Sequence, residues 1–241
     1  MLITLGIIGV VAAMTMPALV ANYQKKSLAT QTQKFYSMMS QAVKQYMADE
    51  GVDDLRNTPL ASDNYEDTAS PEAIASIRDF VTKYLKVAEE CDHEANNCFA
   101  EKYRPWNGGE PKYGNFTTAM NVNEYRDYVL TDGSVIRIGY YYGGGSIPID
   151  LYVDVNGKKG PNRVGYDLWD MNIFYDGVID ESDVGPECRG RIDAKYDYSC
   201  NKCEEKSAYE KREEHFDNCK NGNDYGGCFG HLLNNNFKFD Y

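Results

Sequence analysis

Seven cysteines are the residues of this 241-residue chain whose type and spacing most clearly predict chemistry. Cys91 and Cys98 are separated by a short polar stretch, which suits a local disulfide loop. The other five lie near the C-terminal end, in a segment with few aliphatic residues: Cys188, Cys200, Cys203, Cys219 and Cys228. A segment with so little apolar material needs covalent ties to hold its shape. We therefore predict structural disulfides in an oxidising compartment, with at most one free cysteine.

The Cys200–Cys203 pair also allows two other roles, in a zinc site or in redox chemistry. A zinc site requires a second close pair of ligands, whereas eight residues separate Cys219 from Cys228. His215 and His231 are available as further ligands, but their spacing matches no zinc motif. A redox pair requires a strand-to-helix setting like that of thioredoxin, which this neighbourhood does not offer. Structural disulfides are therefore the favoured interpretation.

A second group of residues offers oxygen ligands. Asp154, Asn156 and Asp167 bracket a glycine-rich turn, and their hard oxygen atoms suit calcium. The spacing is not that of an EF-hand, and the dipeptide Asn156-Gly157 is itself typical of a turn. The sequence therefore predicts a turn stabilised by side-chain hydrogen bonds, with a calcium site at these three residues as the alternative.

No motif in the sequence predicts an active site. No serine, cysteine or histidine lies in a nucleophile motif, and the glycines at 143–145 lack the lysine and the following helix of a phosphate-binding loop. The formal net charge of −12 argues against nucleic acid as a partner. We therefore expect a protein that is not an enzyme and that has no cofactor other than the calcium ion of the alternative.

The chain begins with an apolar segment. Only five of the first 21 residues lie outside the apolar set, and the first charged residue is Lys25. That length is about what is needed to cross a bilayer core of roughly 30 Å. A cleaved secretory signal requires a basic region ahead of the apolar run, and a buried core helix does not usually begin with so long an uncharged run. We therefore expect a membrane anchor.

Two features of the sequence make opposite predictions about the orientation of this anchor. Lys25 and Lys26 follow the apolar segment and by themselves favour the cytoplasm for the rest of the chain. The seven cysteines instead favour an oxidising exterior. We give more weight to the cysteines, because the basic residues expected ahead of the segment are not in this chain.

The remaining pattern predicts two helices and then a sheet. The apolar segment continues as an amphipathic helix to about Glu50, with a weak point at Pro17. Ser70-Pro71-Glu72 is typical of the start of a second helix, which we expect to end near Cys91. Strand patterns follow at 125–130, 135–142, 147–155 and 168–175, and a charged helix is predicted over 204–216. This order predicts an α+β fold.

The segment from Leu2 to Lys26, LITLGIIGVVAAMTMPALVANYQKK, resembles the N-terminal segment of type IV pilins and type II secretion pseudopilins. The resemblance rests on small residues and a proline in the family's order: Gly6, Gly9, Ala12, Ala13 and Pro17. Members of that family carry a basic leader that prepilin peptidase removes, then a methylated first residue and a glutamate shortly after it. Leu2 matches a position just after these features, so we expect the true start of the protein to lie upstream of Met1.

The resemblance implies a pilin-like fold, in which a long N-terminal helix packs on a small antiparallel sheet, here with a cysteine-rich C-terminal extension. Residues 1–22 would be the membrane-spanning or filament-core half of the helix, residues 23–186 the globular domain and residues 187–241 the disulfide-rich extension. In the first part, Gly6, Gly9, Ala12 and Ala13 would permit close approach of neighbouring helices, and Pro17 would permit local unwinding.

The same resemblance implies a structural subunit of a type II secretion or type IV pilus-like filament. Before assembly the subunit would be anchored in the inner membrane, with its globular domain in the periplasm or on the cell surface. Its partners would be other pilin or pseudopilin subunits, the inner membrane and prepilin peptidase. The alternative is a membrane-anchored, disulfide-stabilised extracytoplasmic binding protein that does not polymerise.

Overall fold

The computed structural model describes residues 2–61, 65–91, 98–110, 125–140, 149–182, 184–190, 206–222 and 226–240, with side chains from residue 13 onward. Its longest element is helix α1 (Leu2–Glu50), which is unbroken over 49 residues and contains Pro17. At about 1.5 Å per residue this helix is roughly 70 Å long. The single long helix predicted from the sequence is therefore confirmed.

Among the described side chains of α1, those in its second half contribute to the hydrophobic core. Its buried apolar residues follow a helical spacing along one stripe: Leu28, Phe35, Met39, Ala42, Val43 and Tyr46. A fully buried large apolar side chain contributes about 1.5–3 kcal/mol relative to an exposed one. The side chains from 13 to 23 are exposed, so among the described side chains of α1 burial begins at about residue 25.

Helix α2 (Pro71–Tyr84) begins as predicted, because the Ser70 side chain accepts a hydrogen bond from the amide of Ala73. The prediction that this helix continues to Cys91 is wrong. Residues 87–90 form an edge strand, β1 (Val87–Glu90), that pairs with the sheet. Backbone pairing with a neighbouring strand thus overrides the helical pattern of this stretch.

All six strands form one antiparallel sheet in the order of the chain. After β1 come β2 (Tyr125–Leu130), β3 (Val135–Tyr140), β4 (Ile149–Asp154), β5 (Leu168–Ile173) and β6 (Ile179–Asp180). The four strand patterns predicted from the sequence correspond to β2 to β5. The α+β class is therefore confirmed, and the strands that the sequence missed are the two at the edges.

The two faces of the sheet differ in polarity although both are buried. On one face the apolar row Ile138, Leu151 and Met171 joins α1 and α2 in the hydrophobic core. On the other face Arg137 pairs with Asp127 at 2.7 Å, and both side chains are almost completely buried. The polar side of the sheet is therefore covered as well, in contrast to a sheet with one face in water.

Two helices complete the described structure. Helix α3 (Ala208–Asn221) starts with a capping box between Ser207 and Glu210, and helix α4 (Cys228–Asn234) follows it. The charged helix predicted over 204–216 thus lies further along the chain, because its start is set by this cap. Helix α4 was not predicted, since seven residues are too few to display a helical period.

In the part of the chain that the structure describes, no helix is long and apolar enough to cross a membrane.

Candidate functional site

The exposed flank of α1, residues 13–23, carries five of the six large apolar side chains that are exposed among the described residues. These five are Met14 at 75%, Met16 at 59%, Leu19 at 70%, Val20 at 52% and Tyr23 at 72%. Ala13 and Pro17, two of the residues predicted to pack helices together, are exposed here too. Gly6, Gly9 and Ala12 lie on the same helix, and their surroundings fall outside the described residues.

Such a flank is suited to contact with another apolar surface. Monomeric soluble proteins rarely expose contiguous large apolar side chains, and such patches mark interaction sites. Pro17 has no amide hydrogen, so the carbonyl of Ala13 lacks its usual intrahelical partner and the helix is weakened at this point. The flank is therefore both apolar and able to bend.

The second candidate site is the aspartate loop, residues 154–167, which joins β4 to β5. One oxygen of Asp154 accepts a hydrogen bond from the Tyr103 hydroxyl at 2.5 Å, and the other accepts one from the Asn156 amide at 3.1 Å. The oxygens of Asp167 accept hydrogen bonds from the amides of Asn162 and Arg163, at 2.7 and 2.6 Å. All four carboxylate oxygens thus have a protein donor.

Burial dominates the electrostatics of this loop. It raises the pKa of Asp154, and the nearby negative charge of Asp167 raises it further. Burial also raises the pKa of Asp167, against the opposing effect of its backbone hydrogen bonds. Burial and the Asp154 carboxylate raise the pKa of Tyr103 far above its ordinary value. The Tyr103 hydroxyl therefore keeps its proton and remains a donor to Asp154.

These hydrogen bonds account for the loop without an ion. Calcium takes six to eight oxygen ligands, and here the two carboxylates are already bonded to hydroxyl and amide groups. The side-chain oxygen of Asn156 is buried and accepts no hydrogen bond, so it is the one predicted ligand atom that is still available. Among the described residues no group of three or more His, Cys, Asp or Glu is arranged to hold a metal ion. The side-chain hydrogen bonds of the predicted turn are therefore present, and the calcium site stays an alternative prediction.

The C-terminal helices hold the aspartate loop in place. The Arg163 guanidinium donates hydrogen bonds to the carbonyl of Trp106, whose ring packs edge-on against Phe216 of α3 at 5.8 Å. The rings of Tyr166 and Phe239 are also 5.8 Å apart. Loop and C-terminal extension therefore form one packed unit.

The disulfides agree with the predicted oxidised state. Cys91 is bonded to Cys98, as predicted, and Cys219 is bonded to Cys228. Cys188 is also disulfide-bonded. Cys200 and Cys203 lie outside the described residues. Because Cys219 and Cys228 are joined to each other, they are not available as the second half of a zinc site.

The two histidines considered as zinc ligands have different surroundings. His231 lies between Glu213 and Asp240, at 2.8 and 3.0 Å, and its ring stacks on Phe216 with the centroids 3.7 Å apart. The carbonyl of His215 lies directly beside Gly227, so close that a side chain on Gly227 would collide with it. Both histidines thus belong to the packing between α3 and α4.

Glu181 fixes this pair of helices to the sheet, a role that the sequence did not indicate. Its completely buried carboxylate accepts hydrogen bonds from the amides of Gly227 and Gly230 at 2.8 and 2.9 Å. Burial raises the pKa of Glu181 to about 7, whereas these amides lower it. Next to it, Asp180 forms a two-pronged ion pair with Arg212 of α3, at 2.6 and 2.8 Å. No local sequence pattern identifies either contact, because the partners are more than 30 residues apart.

Comparison with known proteins identifies one family. A family of unknown function, DUF6613, matches residues 18–103, which is the stretch from the exposed flank to Tyr103. No curated protein and no solved structure matches the chain.

Proposed function

We propose that the protein is a structural subunit, a pilin or pseudopilin, of a type II secretion or type IV pilus-like filament. In this proposal the first half of α1 lies in the inner membrane before assembly and in the filament core afterwards. The globular part then lies in the periplasm or on the cell surface. The observation that carries the proposal is the exposed apolar flank of α1, which leaves the globular part at the end of an unbroken helix.

The physical argument is that this surface must be covered in every state of the protein. In a bilayer, lipid covers it; in a filament, the equivalent helices of other copies cover it. Small residues at 6, 9, 12 and 13 allow helix axes to approach closely. A protein that is monomeric in water rarely exposes five large apolar side chains on one helix.

The covalent chemistry of the globular part supports the same location. Two disulfides are present among the described residues, and disulfides persist outside the reducing cytoplasm. The packed surroundings of Asp154 and Glu181 are structural, since every carboxylate oxygen bonds to a group of the protein itself. These features support a scaffold role rather than catalysis.

Assembly of the full chain tests the proposal. The protein is purified in detergent, the detergent is removed by dialysis, and electron microscopy is used to look for filaments. Gly6→Leu with Gly9→Leu should prevent filament growth, because two bulky side chains separate the helix axes. Met16→Leu is the matched control, since it exchanges one exposed apolar side chain for another of similar size.

The outcome also distinguishes the alternative function. If the wild-type chain reaches a detergent-free state only as single copies in vesicles, the protein is a membrane-anchored binding protein that does not polymerise. The sequence encoded upstream of Met1 provides a second readout. A basic leader that ends in glycine, followed by phenylalanine and a glutamate, is expected for a filament subunit.

A further inference from the structure

The Glu50 end of α1 forms one wall of a cavity of about 680 Å³ between α1 and α2. Aromatic rings of Tyr46, Tyr65, Phe80 and Tyr84 line it. Three carboxylates line it as well, from Glu50, Glu72 and Asp79. These seven residues are called the acidic aromatic cavity below.

Its chemistry suits an ammonium group. The side chains of Glu50, Glu72 and Asp79 are exposed and form no ion pair with the residues that the structure describes. The one lysine in the lining, Lys83, pairs with Asp49 at 3.5 Å and lies 4.9 Å from the ring centroid of Tyr84. Asp49 balances the charge of Lys83, and carboxylates with ring faces are the groups that attract a further ammonium group.

The opposite end of the globular part carries a turn with two lysines. Lys158 and Lys159 are exposed at the tip of residues 156–160, the dibasic turn, and form no ion pair among the described residues. The side-chain amide of Asn156 donates a hydrogen bond across the turn to the carbonyl of Gly160 at 2.9 Å. Gly157 and Gly160 have φ values of +62° and +47°, which close the turn tightly. The two lysines are therefore exposed on a turn whose backbone conformation is fixed by these contacts.

The two features lie at opposite ends of the buried part of α1. Asn156 and Gly160 line a groove together with Lys25, Leu28 and Gln31, near the start of the buried stripe. The acidic aromatic cavity begins at Tyr46, 18 residues further along the helix. At about 1.5 Å per residue this separation is roughly 27 Å. One copy therefore cannot place its own lysines in its own cavity.

We propose that the dibasic turn of one copy docks into the acidic aromatic cavity of a second copy of this chain. The inference rests on the proposed filament function and names the contact between its globular parts. With a net charge of −12, two copies repel each other electrostatically over most of their surfaces, so exposed basic groups are the groups that can supply electrostatic attraction between the globular parts. A contact between two different surfaces at opposite ends is heterologous, which is the type of contact that an open filament requires.

Zero-length carbodiimide cross-linking tests the contact, because it joins a lysine only to a carboxylate in direct contact with it. The full chain in non-ionic detergent is mixed as ¹⁴N- and ¹⁵N-labelled copies, so that a mixed-isotope peptide identifies a link between two molecules. We expect intermolecular links from Lys158 or Lys159 to Glu50, Glu72 or Asp79. Raising the salt concentration to 1 M shortens the Debye length to about 3 Å and should lower their yield severalfold.

Charge reversal gives the decisive variants. Lys158→Glu with Lys159→Glu, or Glu50→Lys with Asp79→Lys, should each lower the yield of intermolecular links about tenfold, since like charges then meet. Mixing these two variants should restore the links, because each supplies the charge that the other has lost. Misfolded variants would not rescue each other. Lys102→Glu with Lys238→Glu is the matched control, with the same change of net charge at exposed lysines elsewhere.

Several outcomes would overturn the inference. These are intermolecular links at other positions only, no intermolecular links in the wild type, a loss in the control equal to that in Lys158→Glu with Lys159→Glu, or no rescue in the mixture. The result is separable from the filament test. Filaments that form equally well with both lysines reversed would leave the filament function standing without this contact. Links of the expected kind in a chain that never forms filaments would establish the contact and reject the filament.

Discussion

Gly165 in the aspartate loop packs directly against Cys228 at the start of helix α4. A side-chain carbon placed on Gly165 would lie 2.9 Å from the sulfur of Cys228 and 2.7 Å from the Trp106 ring. Real side-chain carbons essentially never approach a neighbour so closely, so only glycine fits between the disulfide and the indole. The C-terminal disulfide and the loop between β4 and β5 are thus in contact across 63 residues of chain.

Gly165→Ala should destabilise the fold by about 2–4 kcal/mol. Its φ of +76° strains any residue with a side chain, at about 1 kcal/mol or more, and overpacking adds about 1–3 kcal/mol. Gly133→Ala is the matched control, because its φ is +88° but nothing lies within 4 Å of the added carbon. Urea unfolding followed by tryptophan fluorescence measures both. Equal losses in the two variants would mean that the contact with Cys228 carries no cost.

Replacing Cys219 and Cys228 together by serine should lower the free energy of unfolding by about 2–3 kcal/mol. The closed loop spans nine positions, and a cross-link of that length restricts the unfolded chain by about this amount. Calorimetry of the full chain in detergent measures the loss. The pair Cys91 and Cys98 closes a loop of similar length and should give a similar value when replaced by serine.

Thiol counting in denaturant without reductant should find at most one free thiol per chain. Cys91, Cys98, Cys188, Cys219 and Cys228 are disulfide-bonded. Seven cysteines allow three bonds and one remaining thiol, so we predict that Cys188 is bonded to Cys200 or to Cys203. Peptide mapping identifies which. Three or more free thiols together with bound zinc would contradict this assignment.

Stability should decrease as the pH rises from about 4 to about 8. Burial raises the pKa of Asp154 to about 8 and that of Asp167 to about 6, so over this range the folded state holds protons that the unfolded state has released. The state that binds more protons loses stability as the pH rises. Melting temperatures measured at intervals of half a pH unit should therefore fall across the range.

Asp154→Asn should make this pH dependence shallower, because the amide is neutral at every pH in the range. Asp150 and Glu181, whose pKa values burial raises to about 6 and about 7, still contribute in the same direction. Glu66→Gln, at an exposed position, is the control for removing one carboxylate elsewhere in the chain. A slope in Asp154→Asn identical to that of the wild type would show that Asp154 is ionised throughout.

Calcium should leave the melting curve unchanged if the aspartate loop is a hydrogen-bonded turn without an ion site. An ion bound only to the folded state would instead raise stability by about 2.7 kcal/mol at a hundredfold excess over its dissociation constant. Melting curves of the full chain in detergent with calcium and with chelator distinguish the two cases. If calcium does stabilise the protein, Asp154→Ala or Asp167→Ala should abolish the increase.

Glu181→Ala should release helices α3 and α4 from the sheet. The substitution leaves the buried amides of Gly227 and Gly230 without their acceptor, at a cost of about 1–3 kcal/mol for each group left unpaired. Limited proteolysis should then cut the chain after residue 185 severalfold faster than in the wild type. Glu66→Ala, at an exposed position, should be cut at the wild-type rate.

The sequence by itself determined the elements whose signals are local. Helix α1 follows from an apolar spacing that repeats every three or four residues. The hairpin of β2 and β3 follows from Asp132-Gly133, where the Asp132 carboxylate accepts hydrogen bonds from Ser134 and the glycine has a φ of +88°. The disulfide between Cys91 and Cys98 was predictable from the short polar loop that separates the two residues. In each case the residues that interact are close together in the chain.

Only the tertiary structure decided the contacts between distant segments. Residues 87–90 have a helical pattern, but on one side of them the Lys86 carbonyl accepts a hydrogen bond from the amide of Thr131, just after β2, and on the other the Cys91 amide donates one to Asp127 in β2. These bonds and the pairing with β2 make strand β1 the more stable state. Tyr103, in a stretch without periodicity, is fixed by Asp154, 51 residues away. The acceptor for helix α4 is Glu181, 46 residues before Gly227. Such pairings form because a polar group that becomes buried on folding needs a hydrogen-bond partner. No local sequence pattern shows which distant group will be that partner.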